Sequence, residues 1–314
     1  MQSVSTSISR LAGARRTTQA RVRREQAVTI VLFLLPAAIL YSLLVIYPVF
    51  QAAHNGFYKW NGLGPMTNFV GLDNYVRILG DDIFHKAVWH NLVFIILSLV
   101  TQLPLALFCA ILVGRRLRGR TFFRMVYFLP FVLSEVVTGL IWSFIYHPRG
   151  GLLNWLLSLL FPTWEPPSWL GTPNLLVLIC IFVVINWKYF GYHMILYVAG
   201  LQNIPAEIEE AAQIDGASGW QVIRQIVLPL LAPTIRLTIY LAVLGSIQLF
   251  DLVWVMTQGG PANASNTMAT YMYQFGFLRT QLGYGSSIAV IMFVICFSFS
   301  LIYQRRVMRQ DFGD

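Results

Sequence analysis

Glu209-Glu210-Ala211-Ala212-Gln213-Ile214-Asp215-Gly216-Ala217, followed by Ile226-Val227-Leu228-Pro229, forms a polar, helix-forming island of about thirty residues between two long apolar runs. Each flanking run is apolar enough to cross a bilayer, so the island is a loop between membrane spans. Pro205 suits the first position of a helix, where its missing amide hydrogen costs nothing. Ala206 to Gln213 are strong helix formers, and Glu207, Glu209 and Glu210 complement the helix dipole. Asp215-Gly216 ends that helix. A second helix is expected near Ser218, with Val222, Ile223, Ile226 and Val227 as its apolar stripe, before Pro229 and Pro233 bend the chain back into the membrane. The small residues Ala211, Ala212, Gly216 and Ala217 leave a surface that another protein can approach closely. The alternative is an amphipathic connector resting on lipid headgroups. Such connectors carry basic residues on their polar face, whereas this one begins acidic.

Working outward, composition agrees with a membrane protein. Of 314 residues, 57% are hydrophobic and only 11% charged, which is too little charge to cover a soluble surface of this size. Six spans qualify by length: Ala27–Phe50, Asn91–Gly114, Phe123–Tyr146, Leu175–Gly200, Ala232–Thr257 and Ser286–Gln304. The expected class is an all-α membrane protein of about six transmembrane helices. A basic cytoplasmic tail (1–26) precedes the transmembrane domain (27–304), which contains the loop at 201–229, and a short tail (305–314) follows.

The net charge of +9 lies in short clusters beside apolar runs, an orientation signal and not a nucleic-acid stripe. Sixteen basic residues fall on one side, including Arg115, Arg116, Arg118, Arg120 and Arg124. Lys59, Arg77, Lys86, Arg149 and Arg279 fall on the other. Both termini and the Glu-Ala-Ala loop are therefore expected in the cytoplasm. Outside, Gln51–His90 is long enough to hold short structure, and Pro148–Pro173 suits a loop at the interface. Cys109, Cys180 and Cys296 sit in apolar runs as packing residues, with no metal-ligand spacing.

Within spans, charge is costly and marks candidate function. Glu135 and Lys188 both fall near the expected midplane, and are expected to approach one another or line one polar cavity. They serve either as a structural ion pair or in transport. Asn186, Gln248 and Asp251 join them as candidate path residues. Thr238 and Ser246 supply further hydrogen-bonding groups, and Tyr189, Phe250 and Trp254 supply aromatic faces for a sugar. His193 reads as a packed core histidine.

The loop, with its spacing, resembles the EAA loop of ABC importer permeases. Phe69-Val70-Gly71-Leu72-Asp73-Asn74-Tyr75, Phe128-Leu129-Pro130, Ala199-Gly200-Leu201-Gln202-Asn203-Ile204-Pro205 and Gly259-Gly260-Pro261 are similar, in the same order, to segments of the carbohydrate-uptake members. Trp187 and Gly191 fit the family's fourth span. One departure is Ile223, where the family often has Phe.

The resemblance implies a type I ABC importer permease for a sugar or sugar-like solute, in a bacterial or archaeal plasma membrane. It implies coupling to separate ATPases through Glu209, Glu210, Ala211, Ala212, Asp215, Gly216 and Ala217. The implied partners are a second permease subunit, two cytoplasmic ATPase subunits, an extracytoplasmic solute-binding protein and membrane lipid, with no nucleic acid. No cofactor is expected in this chain, ATP and Mg being bound by the ATPases. The nearest approach to a nucleotide motif, Gly114-Arg115-Arg116-Leu117-Arg118-Gly119-Arg120-Thr121, has Arg where the phosphate loop needs Lys and follows a membrane helix. The competing class is a self-sufficient, ion-coupled secondary transporter, which would need internal repeats or broken helices. Neither is evident in the sequence.

Overall fold

The computed structural model describes residues 26, 28–114, 119–163 and 165–308. The basic tail, the 115–118 arginine cluster and the end of the C-terminal tail lie outside them. The chain divides into two units, Met1–His54 and Asn55–Asp314. The first unit is dominated by one apolar helix, α1 (Val28–Asn55), which runs through a π-turn at Ser42–Ile46.

The second unit is also helical, its described residues holding one isolated β-bridge (Tyr58 with Phe69) and no strand. A short helix α2 (Asp73–Leu79) leads to α3 (Asp82–Gly114), which is 33 residues long. At about 1.5 Å per residue α3 reaches roughly 50 Å, well beyond the bilayer core. It begins nine residues before the expected span because Asp81 caps it, accepting from the amides of Ile83 and Phe84. The expected interface loop at Pro148–Pro173 contains a helix of its own, α6 (Leu152–Leu160), whose apolar Trp155, Leu156 and Leu159 are exposed.

Two of the six expected spans are not continuous. The third is two helices, α4 (Arg120–Val132) and α5 (Glu135–Ile145), bent by 96°. The fifth is α10 (Ala232–Ile247), an interruption at Gln248-Leu249-Phe250, and then α11 (Asp251–Thr257). Hydropathy alone misses both breaks, since the apolar run continues through them. The remaining spans are α7 (Leu175–Gln202) and α13 (Leu282–Arg306).

Helix α7 is the pillar of the second unit, with buried residues on every face, among them Ile181, Val184, Met194 and Tyr197. Gly191 lets α4 press against it, for a Cβ there would fall inside the Tyr127 carbonyl. The outward-facing surface is apolar, with Phe108, Leu112, Phe144, Phe293 and Phe297 exposed. That is an inside-out arrangement only lipid can solvate. A connection between α11 and α13 carries α12 (Met268–Tyr273), buried against α3 and α13 through Tyr271, Phe84 and Tyr284.

Candidate functional site

Breaking a helix inside a membrane frees backbone carbonyls, and each must find a donor. At the first break, Leu133 turns out of α4, and Ser134 caps α5 by accepting from the Val137 amide at 3.2 Å. Lys188 of α7 supplies the missing donors. Its Nζ donates to the carbonyls of Phe131 (3.5 Å) and Leu133, and the residue is 3% exposed. At the second break the donor is Asn91 of α3. Its Nδ2 bonds the carbonyls of Ser246 (2.6 Å) and Ile247 (3.3 Å), while its Oδ1 accepts from the Met268 amide (2.9 Å). The Thr267 hydroxyl takes the Leu249 carbonyl at 2.7 Å. The half-helices α5 and α11 then lie side by side, with Gly139 against Val255.

The two breaks open onto one cavity of about 380 Å³. Its polar lining comes from Ser98 and Gln102, on a π-turn of α3, and from Glu135, His193, Gln248 and Asp251. Its aromatic lining is Phe131, Tyr189, Tyr192 and Phe250, with Phe131 stacked on Tyr192 at 4.7 Å. Tyr189 donates its hydroxyl to Glu135. The Asp251 carboxyl is within hydrogen-bonding reach of Glu135, and Lys188 is within its electrostatic reach. Glu135 and Asp251 are the first residues of α5 and α11, where a carboxylate meets the positive end of a helix.

Of the expected path residues, Glu135, Gln248 and Asp251 line the cavity, and Asn186 and Lys188 do not. Lys188 is committed to the α4 carbonyls behind the wall, and the Asn186 Oδ1 is buried without a partner among the described residues. Thr238 faces away, bonding the Tyr197 hydroxyl at 2.7 Å. His193 is buried, as expected of a core histidine, at the margin of the cavity, with its buried Nδ1 unpartnered among the described residues. Sequence reading missed Ser98 and Gln102, although their i, i+4 spacing within an apolar run is a visible signal. Broken helices were the feature reserved for a secondary transporter, and their presence here removes that criterion.

The Glu-Ala-Ala loop is a helix, a turn and a second helix. Pro205 stands one position earlier than expected, as the N-cap of α8 (Ala206–Ile214), because its extended ψ of 133° precedes the first helical residue. Gly216 has φ +89°, and the amides of Gly216 and Ala217 close the turn on the carbonyls of Gln213 (3.1 Å) and Ala212 (2.9 Å). Ser218 and Gln221 cap the next helix reciprocally. That helix, α9 (Gly219–Leu230), meets α10 at a 66° bend between Pro229 and Pro233. Val222 and Val227 anchor α9 by burial, whereas Ile214 is 86% exposed and Trp220 67%. Glu210, Ala211, Asp215 and Gly216 are exposed, Glu209, Ala212 and Ala217 half-exposed, and a Cβ on Gly216 would meet nothing within 4 Å. Two large apolar side chains and an open turn on one loop make an unfilled face.

Comparison with known proteins agrees with this geometry. A probable ABC transporter permease protein of Pyrococcus horikoshii is 39% identical over 275 residues, covering 87% of this chain and 94% of its own. A multiple sugar-binding transport system permease of Streptococcus mutans is 34% identical, with 84% and 89% covered. A lactose transport system permease of Rhizobium radiobacter is 32% identical, with 92% and 98% covered. The fold is that of a chain in the crystal structure of a bacterial alginate ABC transporter in complex with an alginate pentasaccharide-bound periplasmic protein. That match has a TM-score of 0.80 at 21% identity, covering 91% of this chain and 96% of that one. Residues 102–309 match the family of binding-protein-dependent transport system inner membrane components, and this chain, a multi-pass ABC importer permease subunit, belongs to it.

Proposed function

We propose that this subunit conducts a sugar or sugar-like solute across a bacterial or archaeal plasma membrane, with both termini and α8–α9 in the cytoplasm. The observation that carries the sugar reading is the cavity at the two helix breaks. It sets carboxylate, amide and hydroxyl groups beside four aromatic faces, the pairing that a polyhydroxylated ring needs. Lactose and multiple-sugar permeases among the relatives support the same class. A soluble binding protein delivers the solute, and a second permease subunit completes the passage.

Energy arrives through the loop. Two ATPase subunits hold ATP and Mg, and one of them docks on Glu209–Ala217 of this chain, with Ile214 and Trp220 seated in its surface. Their closure displaces α8 and α9, and the bend at Pro229–Pro233 passes the movement to α10 and so to the cavity. The chain itself hydrolyses nothing.

The test is uptake of radiolabelled lactose and maltose into liposomes holding the complete complex, with binding protein outside and ATP within. ATP-dependent accumulation of either sugar is expected. Gly216→Val, which forces a β-branched residue into a left-handed turn, is expected to abolish accumulation while the ATPases keep their basal turnover. Solute movement by this chain alone, driven by an ion gradient without ATP, would overturn the proposal.

A further inference from the structure

Phe250, Trp254 and Gln258 recur at every fourth residue along α11, so they share one face that runs about 12 Å away from the cavity. Phe250 is a wall of the cavity. Trp254 lies parallel to it, with ring centroids 5.9 Å apart and planes 9° apart. Tyr273 packs against both, at 5.2 Å from Phe250 and 4.8 Å from Trp254. An aromatic strip therefore begins in the cavity and ends in a second cleft of about 290 Å³, lined by Trp254, Gln258, Asn263, Gln274, Leu278 and Arg279. That volume is near the lower end of small-molecule sites. Trp254 and Tyr273 are half-exposed, and Gln258 and Arg279 are exposed. With α8 and α9 inside the cell, this end of α11 lies on the outer side.

The walls of the cleft carry an independent signal. Gln258 and Asn263 hold left-handed backbone, with φ of 53° and 63°, although neither is glycine. Such conformations are strained, persist only where the surroundings enforce them, and gather at ligand clamps. Here the enforcing contacts are visible. Gln274 Nε2 donates to the Gln258 carbonyl at 3.0 Å and to Asn266 Oδ1 at 3.1 Å. Asn266, fully buried, donates through Nδ2 to Asn263 Oδ1 at 2.8 Å. The turn is thus fixed in a costly form, and that form sets two amide side chains around one space with Trp254 and Arg279.

We propose that this cleft is an outer saccharide subsite, occupied before the cavity, and that the aromatic strip passes the solute from one to the other. This rests on the sugar reading above and adds a second site to it. Trp254 offers a ring face to the C–H side of a sugar. The Gln258 amide donates to and accepts from its hydroxyls, and the Arg279 guanidinium, 4.2 Å above the Phe275 ring, donates to them from the rim. Movement inward along Trp254, Tyr273 and Phe250 then keeps an aromatic surface against the sugar at each step.

The experiment uses the complete complex of both permease subunits and the ATPases in lipid nanodiscs, without binding protein. Lactose and maltose are the probes, and saturation-transfer NMR gives the Kd of each. Leu278→Cys, in the cleft and 59% exposed in the parent residue, reports occupancy through its rate of labelling by a charged thiol reagent. Leu63→Cys, exposed but outside both cleft and cavity, is the control. At a sugar concentration of about four times Kd, labelling of Leu278→Cys is expected to slow about fivefold, the factor 1 + [L]/Kd. Leu63→Cys keeps its rate. Adding Trp254→Ala removes the protection and Trp254→Phe retains it. Rates are compared with and without sugar within each preparation, which cancels any difference in folded fraction. Sugar binding that leaves Leu278→Cys labelling unchanged overturns the subsite and leaves the sugar reading standing. So does a cysteine there that never reacts, or equal slowing in Trp254→Ala or at Leu63→Cys. Binding of neither sugar overturns the subsite, and the sugar reading falls with it only if ATP-driven accumulation fails too.

Discussion

Gly139→Ala tests whether the two half-helices are packed as tightly as the geometry indicates. A Cβ on Gly139 would sit 2.8 Å from Val255 Cγ1, 3.0 Å from its Cβ and 3.6 Å from Met256 Cγ. Ordinary carbon contacts lie near 3.5–4.0 Å, so the first two overlap by roughly 1 Å. Val255 is β-branched, and turning it aside costs rotamer energy. Overpacking of this kind costs about 1–3 kcal/mol. Alanine returns up to about 1 kcal/mol through its better helix propensity, leaving a net loss of about 1–2 kcal/mol. Scaled by the usual 2–4 °C per kcal/mol for large domains, the purified complex should lose about 3–6 °C in apparent melting temperature, followed by intrinsic fluorescence. Val255→Ala removes the obstructing methyls, so the double variant should be more stable than the two single losses added together. A Gly139→Ala complex that melts at or above the parent, or a double variant with no such coupling, would refute the close packing of α5 on α11.

Asn91→Leu removes three hydrogen bonds from a residue that is 2% exposed and strands two carbonyls and an amide. A loss of about 3 kcal/mol is expected, read as a fall of about 6–12 °C in apparent melting temperature. Lys188→Met strands the Phe131 and Leu133 carbonyls. It should loosen the first break, which hydrogen exchange would report as faster exchange at the Val137 and Thr138 amides while α13 is unchanged. Ser218→Ala deletes one half of the α9 capping box. At about 1 kcal/mol, the Gln221 and Val222 amides should exchange roughly fivefold faster.

The Glu-Ala-Ala loop was readable residue by residue because its signals are local. Asp215-Gly216, Ser218 and the two prolines each act on their own backbone, and the structure moves only Pro205, by one position. The four straight spans were readable because length and hydropathy are averages. The breaks were not, since the same averages run unchanged through Leu133-Ser134 and Gln248-Leu249-Phe250. A finer signal was present: Ser134-Glu135 is an N-cap followed by an acid in the first turn, placed inside an apolar run. Asn186 and Lys188 fall outside the cavity lining for a different reason. Helix α7 is apolar on every side, with Leu175, Ile179, Val183 and Trp187 exposed, so hydropathy does not say which of its faces meets the cavity and which meets α4. Only the partner helices decide that, and they are distant in sequence.

The bend between α4 and α5 also constrains how the protein is made. Helix α4 has 13 residues and α5 has 11, about 20 Å and 17 Å, and neither reaches across a hydrocarbon core of about 30 Å. As the chain leaves the ribosome, the insertion machinery therefore meets Phe123–Tyr146 as a single apolar stretch and has no basis for releasing the halves separately. The group that satisfies the broken backbone, Lys188, is synthesised more than fifty residues later. The 96° corner therefore depends on a donor that α7 brings, and a nascent chain released before α7 is expected to hold this stretch as one straight helix, which cysteine crosslinking across the corner would check.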